Sequence, residues 1–274
     1  MSSVQNESIQ IIDLDHENRH LYFVCLEDWS DEMKEAGNHK ECWYNRMKDK
    51  NLGVKLAIDS QGQIGGMIHY LPVEYSFIEG KDMYFIPCIW VHGHKEGRGS
   101  FQQLGMGKAL LKAAEEDIIK RGAKGIIAWG LLLPFWMKAS WYKKQGYKKV
   151  DRNGIQVLLW KPLAADAVPP RWIKPQKAPE PIPGKVCITS FLNGWCPAMN
   201  IVHERAKRAS AEFGEQVVFQ SIDTCDSQVF KEWGVSDGLF IDDKAVSFGP
   251  PLSYEKIKAR ITKKVKKLES GKAI

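Results

Sequence analysis

The sequence predicts a chain of two α/β units, the first built on a mixed sheet, and three observations carry that expectation. Apolar runs of strand length alternate with runs of helical periodicity from end to end. A proline-rich stretch over residues 166–184 breaks the alternation and separates residues 1–165 from residues 185–274. A glycine-bearing turn, Gln102-Gln103-Leu104-Gly105-Met106-Gly107-Lys108, stands between the long apolar run 83–91 and a helix-like run beginning Ala109-Leu110-Leu111. At 274 residues, 44% of them hydrophobic and 26% charged, each part is long enough to bury its own core.

In the first part, residues 8–13 read as a strand, followed by helical stretches through Glu27 and from Ser30 to about Lys50. Gly53-Val54-Lys55-Leu56-Ala57-Ile58-Asp59 alternates as a strand does. Ser60-Gln61-Gly62-Gln63 supplies a turn, and residues 64–71 return as the partner. Gly65-Gly66 inside that partner predicts a bulge or a close backbone approach. The run Met83-Tyr84-Phe85-Ile86-Pro87-Cys88-Ile89-Trp90-Val91 is a central strand whose Pro87 cannot donate to a ladder, so a bulge or splay is expected there. A helix over about 105–120, a buried strand at 125–130, a helix over 134–144 with Pro134 at its start and Gly146 past its end, and a closing strand at 155–160 complete the part.

The totals exclude several classes. The start, Met1-Ser2-Ser3-Val4-Gln5-Asn6-Glu7, has neither a basic region nor an apolar core, which predicts no signal peptide. No run approaches the roughly 18 apolar residues that span a bilayer. The six cysteines (Cys25, Cys42, Cys88, Cys187, Cys196, Cys225) form no Cys-x-x-Cys pair. They read as reduced thiols of a cytoplasmic protein, and no metal site is expected. A net charge of +6 is mild. Its lysines gather near the end, in residues such as Lys256, Lys263 and Lys267, without the aromatic interleaving that stacks bases. A solvated helix face is expected there, with neither nucleic acid nor membrane as a partner.

The turn at 102–108 has a physical purpose. Glycines let a backbone close on a ligand, and the first N–H groups of a helix lack internal partners. With the helix dipole they form an anion site suited to a pyrophosphate. Gln-x-x-Gly-x-Gly is neither the dinucleotide fingerprint, which needs a third glycine, nor a P-loop, which needs a Ser/Thr after the lysine.

Taken with the element order, this Gln102-x-x-Gly105-x-Gly107 turn resembles the GNAT family of acetyl-CoA-dependent N-acetyltransferases. Ala139-Ser140-Trp141-Tyr142-Lys143-Lys144-Gln145-Gly146-Tyr147 is similar to a second segment of that family. The resemblance covers about residues 8–162. It implies the acyl-CoA N-acyltransferase fold, acetyl-CoA as cosubstrate, and transfer of acetyl to a primary amine of a small-molecule acceptor by direct attack. It also implies a splay where the strands at 83–91 and 125–130 part. Ile89, Trp90 and Val91 would then pair with the pantetheine arm, and Gln102, Gln103, Leu104, Gly105, Met106, Gly107 and Lys108 would cradle the pyrophosphate. Tyr142 would donate a proton to the leaving thiolate.

The stretch 83–88 has no carboxylate for a general base. His92, placed by alternation on a face with Tyr84, Cys88 and Trp90, is one candidate and His69 another; Cys88 as an acyl carrier is a third device. The connection His92–Phe101 is longer than the family usually has, and its His94 and Arg98 could wrap phosphates or gate the acceptor. Trp43, Tyr44, Tyr70, Trp129, Phe135 and Trp136 suit either an apolar or cationic acceptor or ordinary core packing. A homodimer is compatible with all of this.

The second part reads βαβαββα and is similar to the thioredoxin-like fold. Gly194-Trp195-Cys196-Pro197-Ala198-Met199 falls after its first strand, where that family keeps a Trp-Cys-x-x-Cys. Met199 stands at the second cysteine, and Ser236-Asp237-Gly238 occupies the position of the usual proline. Together with Phe248-Gly249-Pro250-Pro251, the pairing resembles the YoaP-like acetyltransferases. The alternative to an acetyltransferase is a thiol-binding or single-cysteine redox protein using Cys196, with the first part serving as a CoA-binding module.

Overall fold

The structure, a computed structural model, describes residues 9–133, 137–246 and 251–270. The chain divides into two compact units, Met1–Trp29 with Arg46–Ile173, and Ser30–Asn45 with Lys174–Ile274. The readings made above for Met1 to Ser8, for Pro134, Phe135 and Trp136, and for Phe248, Gly249 and Pro250 lie outside the described residues.

The first unit is built on β1 (Gln10–Asp13), β2 (Gly53–Ile58), β3 (Ile64–Pro72), β4 (Ile78–Glu79), β5 (Met83–Val91), β6 (Gly125–Leu131), β7 (Lys148–Asn153), β8 (Gln156–Pro162) and β9 (Arg171–Trp172). Seven of these form one mixed sheet in the order β1-β2-β3-β5-β6-β8-β7, while β4 and β9 pair apart from it. Every neighbouring pair in the large sheet is antiparallel except β5–β6. The turn from β2 to β3 is shaped by Asp59, whose Oδ1 accepts from the N–H groups of Gln61 and Gln63, and by Gly62 at φ 81°. The expected bulge at Gly65-Gly66 is present: Ala57 faces Gly66 but Ile58 faces Ile64.

Among the described residues, three α-helices belong wholly to this unit: α1 (Arg19–Phe23), α3 (Met106–Lys120) and α4 (Ala139–Lys144). α3 packs across β2, β3 and β5 with Met106, Leu110, Leu111, Ala114 and Ile118, the spacing of one helical face. The strand β7 escaped the sequence reading because Lys148-Lys149-Val150-Asp151-Arg152-Asn153 is an edge strand with little buried surface and so no apolar alternation.

The stretch 30–50 was expected to be one helix of the first part. It is instead a 3-10 turn, Glu32–Ala36, broken at Gly37 (φ 62°) from α2 (His39–Met47). Residues 30–45 group with the second unit. Contacts from afar in sequence hold it there: the buried Arg205 guanidinium donates to Glu35 at 2.6 Å and to Glu32 at 2.9 Å, some 170 positions away, and Trp43 packs on Gly194.

The remainder of the second unit runs β10 (Val186–Leu192), α5 (Pro197–Ala211), β11 (Val217–Asp223), α6 (Ser227–Trp233), β12 (Gly238–Ile241), β13 (Lys244–Ala245) and α7 (Tyr254–Glu269). The βαβαββα order is the one expected. Its sheet is ordered β11-β10-β12-β13, with β10 and β11 parallel. Core residues Val186, Ile188, Val202, Ala206, Leu239, Ile257, Ile261 and Val265 fill the space between sheet and helices. On α7, Ile257, Ile261 and Val265 face inward, so most lysines stand on the solvated face, as composition suggested. Among the described residues no helix is long and apolar enough to cross a membrane.

Candidate functional site

Pro87 shapes the centre of the first unit. β5 and β6 pair from Met83↔Gly125 to Ile86↔Ala128, and the pairing stops at the next residue, Pro87. On the opposite edge, Phe85 faces Leu71 and Cys88 faces His69, so Ile86 and Pro87 together stand against Tyr70 alone. This is a bulge, and it bends β5 away from β6. Burial records the consequence: Met83 to Cys88 are buried, whereas Ile89, Trp90 and Val91 are only half-buried. Across the opening, Trp129 donates its indole N–H to the Pro87 carbonyl at 2.7 Å.

The far wall of the opening is β6 and the chain that follows it. Leu131 N–H donates to the Met137 carbonyl at 2.7 Å. A side chain at Gly130 would meet the backbone of Ala139 and Met137 at 2.8 Å, so glycine is what permits this approach. α4 then begins, carrying Tyr142 inward. Tyr142 is 1% exposed, and its hydroxyl has no hydrogen-bond partner among the described residues. Burial pushes its pKa far up, and the neighbouring Cys88 thiol pushes it further, so the phenol stays protonated. The indole N–H of Trp90 is likewise buried without a hydrogen bond.

The glycine turn completes the geometry. Gln103 (φ 67°) and Gly105 (φ 95°) both adopt the left-handed conformation, which turns the chain sharply into α3. The first helical bond is Ala109 N–H to the Gly105 carbonyl at 3.1 Å, and no side chain caps the end. The N–H groups of Met106, Gly107 and Lys108 are thus left without intrahelical acceptors. An added Cβ on Gly107 would lie 3.5 Å from Trp141 and 3.8 Å from Val91, so the helix end meets both α4 and the outer end of β5. The expected cradle residues are surface-facing, apart from Met106, which is buried under the turn, and Gly107, which is half-buried. Gln102 is a further departure, because its side chain folds over Gly93.

His92 requires a correction. It was a candidate base, but both ring nitrogens are engaged: Trp29 Nε1–H donates to Nε2 at 3.0 Å, and Nδ1 bonds the Gly99 carbonyl at 2.6 Å. The ring is fully buried, and its lone pair is already taken. Arg98 is not directed at phosphates either; it forms a bidentate pair with Asp28 at 2.8 and 2.9 Å. Together with Trp29 packed on Gly97, these contacts fasten the long 92–101 connection to residues 28–29. His69 is fully buried on β3, its ring against Tyr22. Nothing in the sequence announced Trp29 and Asp28 as the fastening points, since they lie 63 and 70 positions from their partners.

In the second unit, Cys196 is the half-buried N-cap of α5, with Pro197 in the first turn. The cysteines form no disulfide. Gly194 (φ 101°) packs on the His39 carbonyl and Trp43, and its own carbonyl accepts from Asn200 at 3.0 Å. Burial pushes the Asp237 carboxyl up to about 6, although Ser236 and the Asn193 N–H both donate to it.

No family model matches the sequence, and no curated protein matches it. Solved structures to which the chain is similar include an acetyltransferase of the GNAT family from Staphylococcus aureus Mu50, at 14% identity and TM-score 0.43, covering 57% of this chain and all of that one. PaiA N-acetyltransferase from Thermoplasma acidophilum in complex with coenzyme A matches at 18% identity and TM-score 0.41, over 57% of this chain and 99% of that one. Aminoglycoside 6'-acetyltransferase type Ii matches at 20% identity and TM-score 0.43, over 57% and 97%. The chemistry of the site rests on this chain's own residues.

Proposed function

We propose that the first unit is a GNAT-type N-acetyltransferase that moves acetyl from acetyl-CoA to a primary amine of a small molecule. One combination of observations carries the reading: the β5–β6 pairing ends at Pro87, no side chain caps the start of α3, and the Tyr142 hydroxyl is buried near Cys88 without a hydrogen-bond partner among the described residues. In this reading the unpaired edge of Ile89, Trp90 and Val91 binds the pantetheine amides as an added strand. The N–H groups from Leu104 to Lys108 receive the pyrophosphate. The acetyl thioester then lies between Cys88 and Tyr142.

The acceptor nitrogen attacks the thioester carbonyl carbon, forming the C–N bond, and collapse of the tetrahedral intermediate breaks the C–S bond. Tyr142, held as a neutral phenol, donates to the departing thiolate sulfur. The proton lost by the amine passes to solvent, and solvent returns one to the Tyr142 phenolate as the products leave, which restores the neutral phenol. His92, with both nitrogens engaged, holds the 92–101 connection in place and takes no part in proton transfer. Most of the rate enhancement then comes from positioning two reactants in one opening. The second unit is read as a thioredoxin-like, YoaP-like module without dithiol chemistry, since Met199 replaces the second cysteine. The protein is read as cytoplasmic.

Thermal shift with acetyl-CoA and with CoA tests the reading. Ligand at a hundred times Kd would stabilise the first unit by about 2.7 kcal/mol. Absence of any shift with both ligands would remove the proposal.

A further inference from the structure

The second unit holds a cluster that neither the glycine turn nor Tyr142 uses. His39, at the start of α2, and His203 and Glu204, on α5, bring one potential ligand atom each to within 4.8 Å of one another. His39 Nε2 lies 2.7 Å from Glu204 Oε1, although the two residues are 165 positions apart in sequence. The His39 and His203 rings meet edge to face with centroids 5.4 Å apart.

We propose that His39, His203 and Glu204 form a binding site for a divalent transition cation of the zinc class. Two imidazoles and one carboxylate are a ligand set that zinc accepts, with a water completing four-coordination. The supporting contact that such sites need is present: the Ser190 hydroxyl bonds His203 Nδ1 at 2.9 Å. With Nδ1–H donating to the Ser190 hydroxyl oxygen, the His203 lone pair would lie on Nε2, and the contact holds the ring in orientation. Accessibility is graded in a suitable way. His203 is 4% exposed, whereas the His39 and Glu204 side chains are 24% and 26% exposed, so one side of the cluster is open to an entering ion and its water. Ligands at zinc bond lengths of about 2.0–2.2 Å in a tetrahedron stand roughly 3.3 Å apart. The His39–Glu204 contact at 2.7 Å therefore has to widen by about 0.6 Å, and ligand atoms standing as far as 4.8 Å apart have to close by up to about 1.5 Å.

Such an ion would have a structural consequence. His39 belongs to the segment 30–45, and His203 and Glu204 belong to the main helix of the same unit. The ion would fasten that segment to α5 one turn beyond Asn200, adding to the Arg205 pairs with Glu32 and Glu35. The expectation of no metal, drawn from the lack of Cys-x-x-Cys, does not reach this cluster. It contains no cysteine and is assembled across most of the chain.

The test uses the full chain, stripped with a chelator and titrated with cobalt(II) and then zinc(II). The proposal expects one equivalent of cobalt bound, ligand-field absorption of a four- or five-coordinate ion without thiolate charge transfer, displacement by zinc, and a higher Tm of the second unit. Glu204→Gln keeps the hydrogen bond to His39 but loses the charged ligand, and His39→Gln removes an imidazole. Each should weaken binding at least tenfold while leaving the circular dichroism of the metal-free chain unchanged. A variant with Cys42 and Cys196 changed to Ser should bind as the parent does. Absence of stoichiometric binding, thiolate charge-transfer bands lost in the cysteine variant, or unchanged affinity in both Glu204→Gln and His39→Gln would each overturn the proposal. Acetyl-CoA binding to the first unit is a separate readout, so the two proposals stand or fall independently.

Discussion

The N-termini of α3 and α5 begin from similar ingredients and end in opposite states. Each follows a strand and a glycine with positive φ, Gly105 at 95° and Gly194 at 101°, and each helix runs for 15 residues. Neither end has a side-chain cap, but around α3 residues 102–105 are exposed. Around α5 the approach is filled. Trp195 is buried, Gly194 packs on His39 and Trp43, and Asn200 ties back to the Gly194 carbonyl. A helix dipole by itself therefore says little about ligand binding. What matters is whether neighbouring elements leave the terminal N–H groups accessible and put a reactive group nearby.

The sharpest way to break this comparison is Tyr142→Phe. If the α3 end serves an acyl transfer, kcat with acetyl-CoA should fall about a hundredfold while acetyl-CoA affinity stays near the parent value. Because the hydroxyl is buried without a partner, Tm should hold or rise, which separates a chemical role from a structural one. Next in size is Gly105→Val. A β-branched residue at φ 95° is strained by about 1–2 kcal/mol, and relief of that strain would reorient the turn, so acetyl-CoA affinity should drop roughly tenfold by calorimetry.

A smaller effect concerns the loop facing the α5 end. The Asp237 carboxyl, ordinarily near 3.8, is pushed up to about 6 by burial. Folding thus retains a proton that the unfolded chain releases. Stability from this group is complete below about pH 4, declines as pH rises through 6, and is constant above that. Asp237→Asn should flatten denaturant midpoints of the second unit over that window, and an unchanged slope would show that other groups set it. Smallest of all, Cys196→Ser should alter neither acetyl-CoA affinity nor turnover. A loss of activity with that variant would mean that the filled helix end contributes to the chemistry after all.

Local features were legible in the sequence wherever the backbone itself carried the information. Pro87 cannot donate a ladder bond, so an interruption of β5 was foreseeable, and the bulge and the end of the β5–β6 pairing fall at that residue. The Gly105 turn, the bulge at Gly65-Gly66 and the βαβαββα order of the second unit were readable for the same reason. Contacts made by long polar side chains were not. His92 looked available because alternation put it on a face with Tyr84, Cys88 and Trp90, whereas its partner Trp29 is 63 positions earlier. Residues 30–45 looked like a continuation of the first part because their pairing with Arg205 has no local signature.

The sequence by itself determined where the chain bends, where helices start and which segments are apolar, because glycine, proline and periodicity act within a few residues. Only the tertiary structure decided which polar groups are spent on one another and which remain available. It engaged both nitrogens of His92, left the Tyr142 hydroxyl without a partner, and gathered His39, His203 and Glu204. The physical reason is that a hydrogen bond or a ligand set depends on distances of a few ångströms between atoms whose separation along the chain is arbitrary.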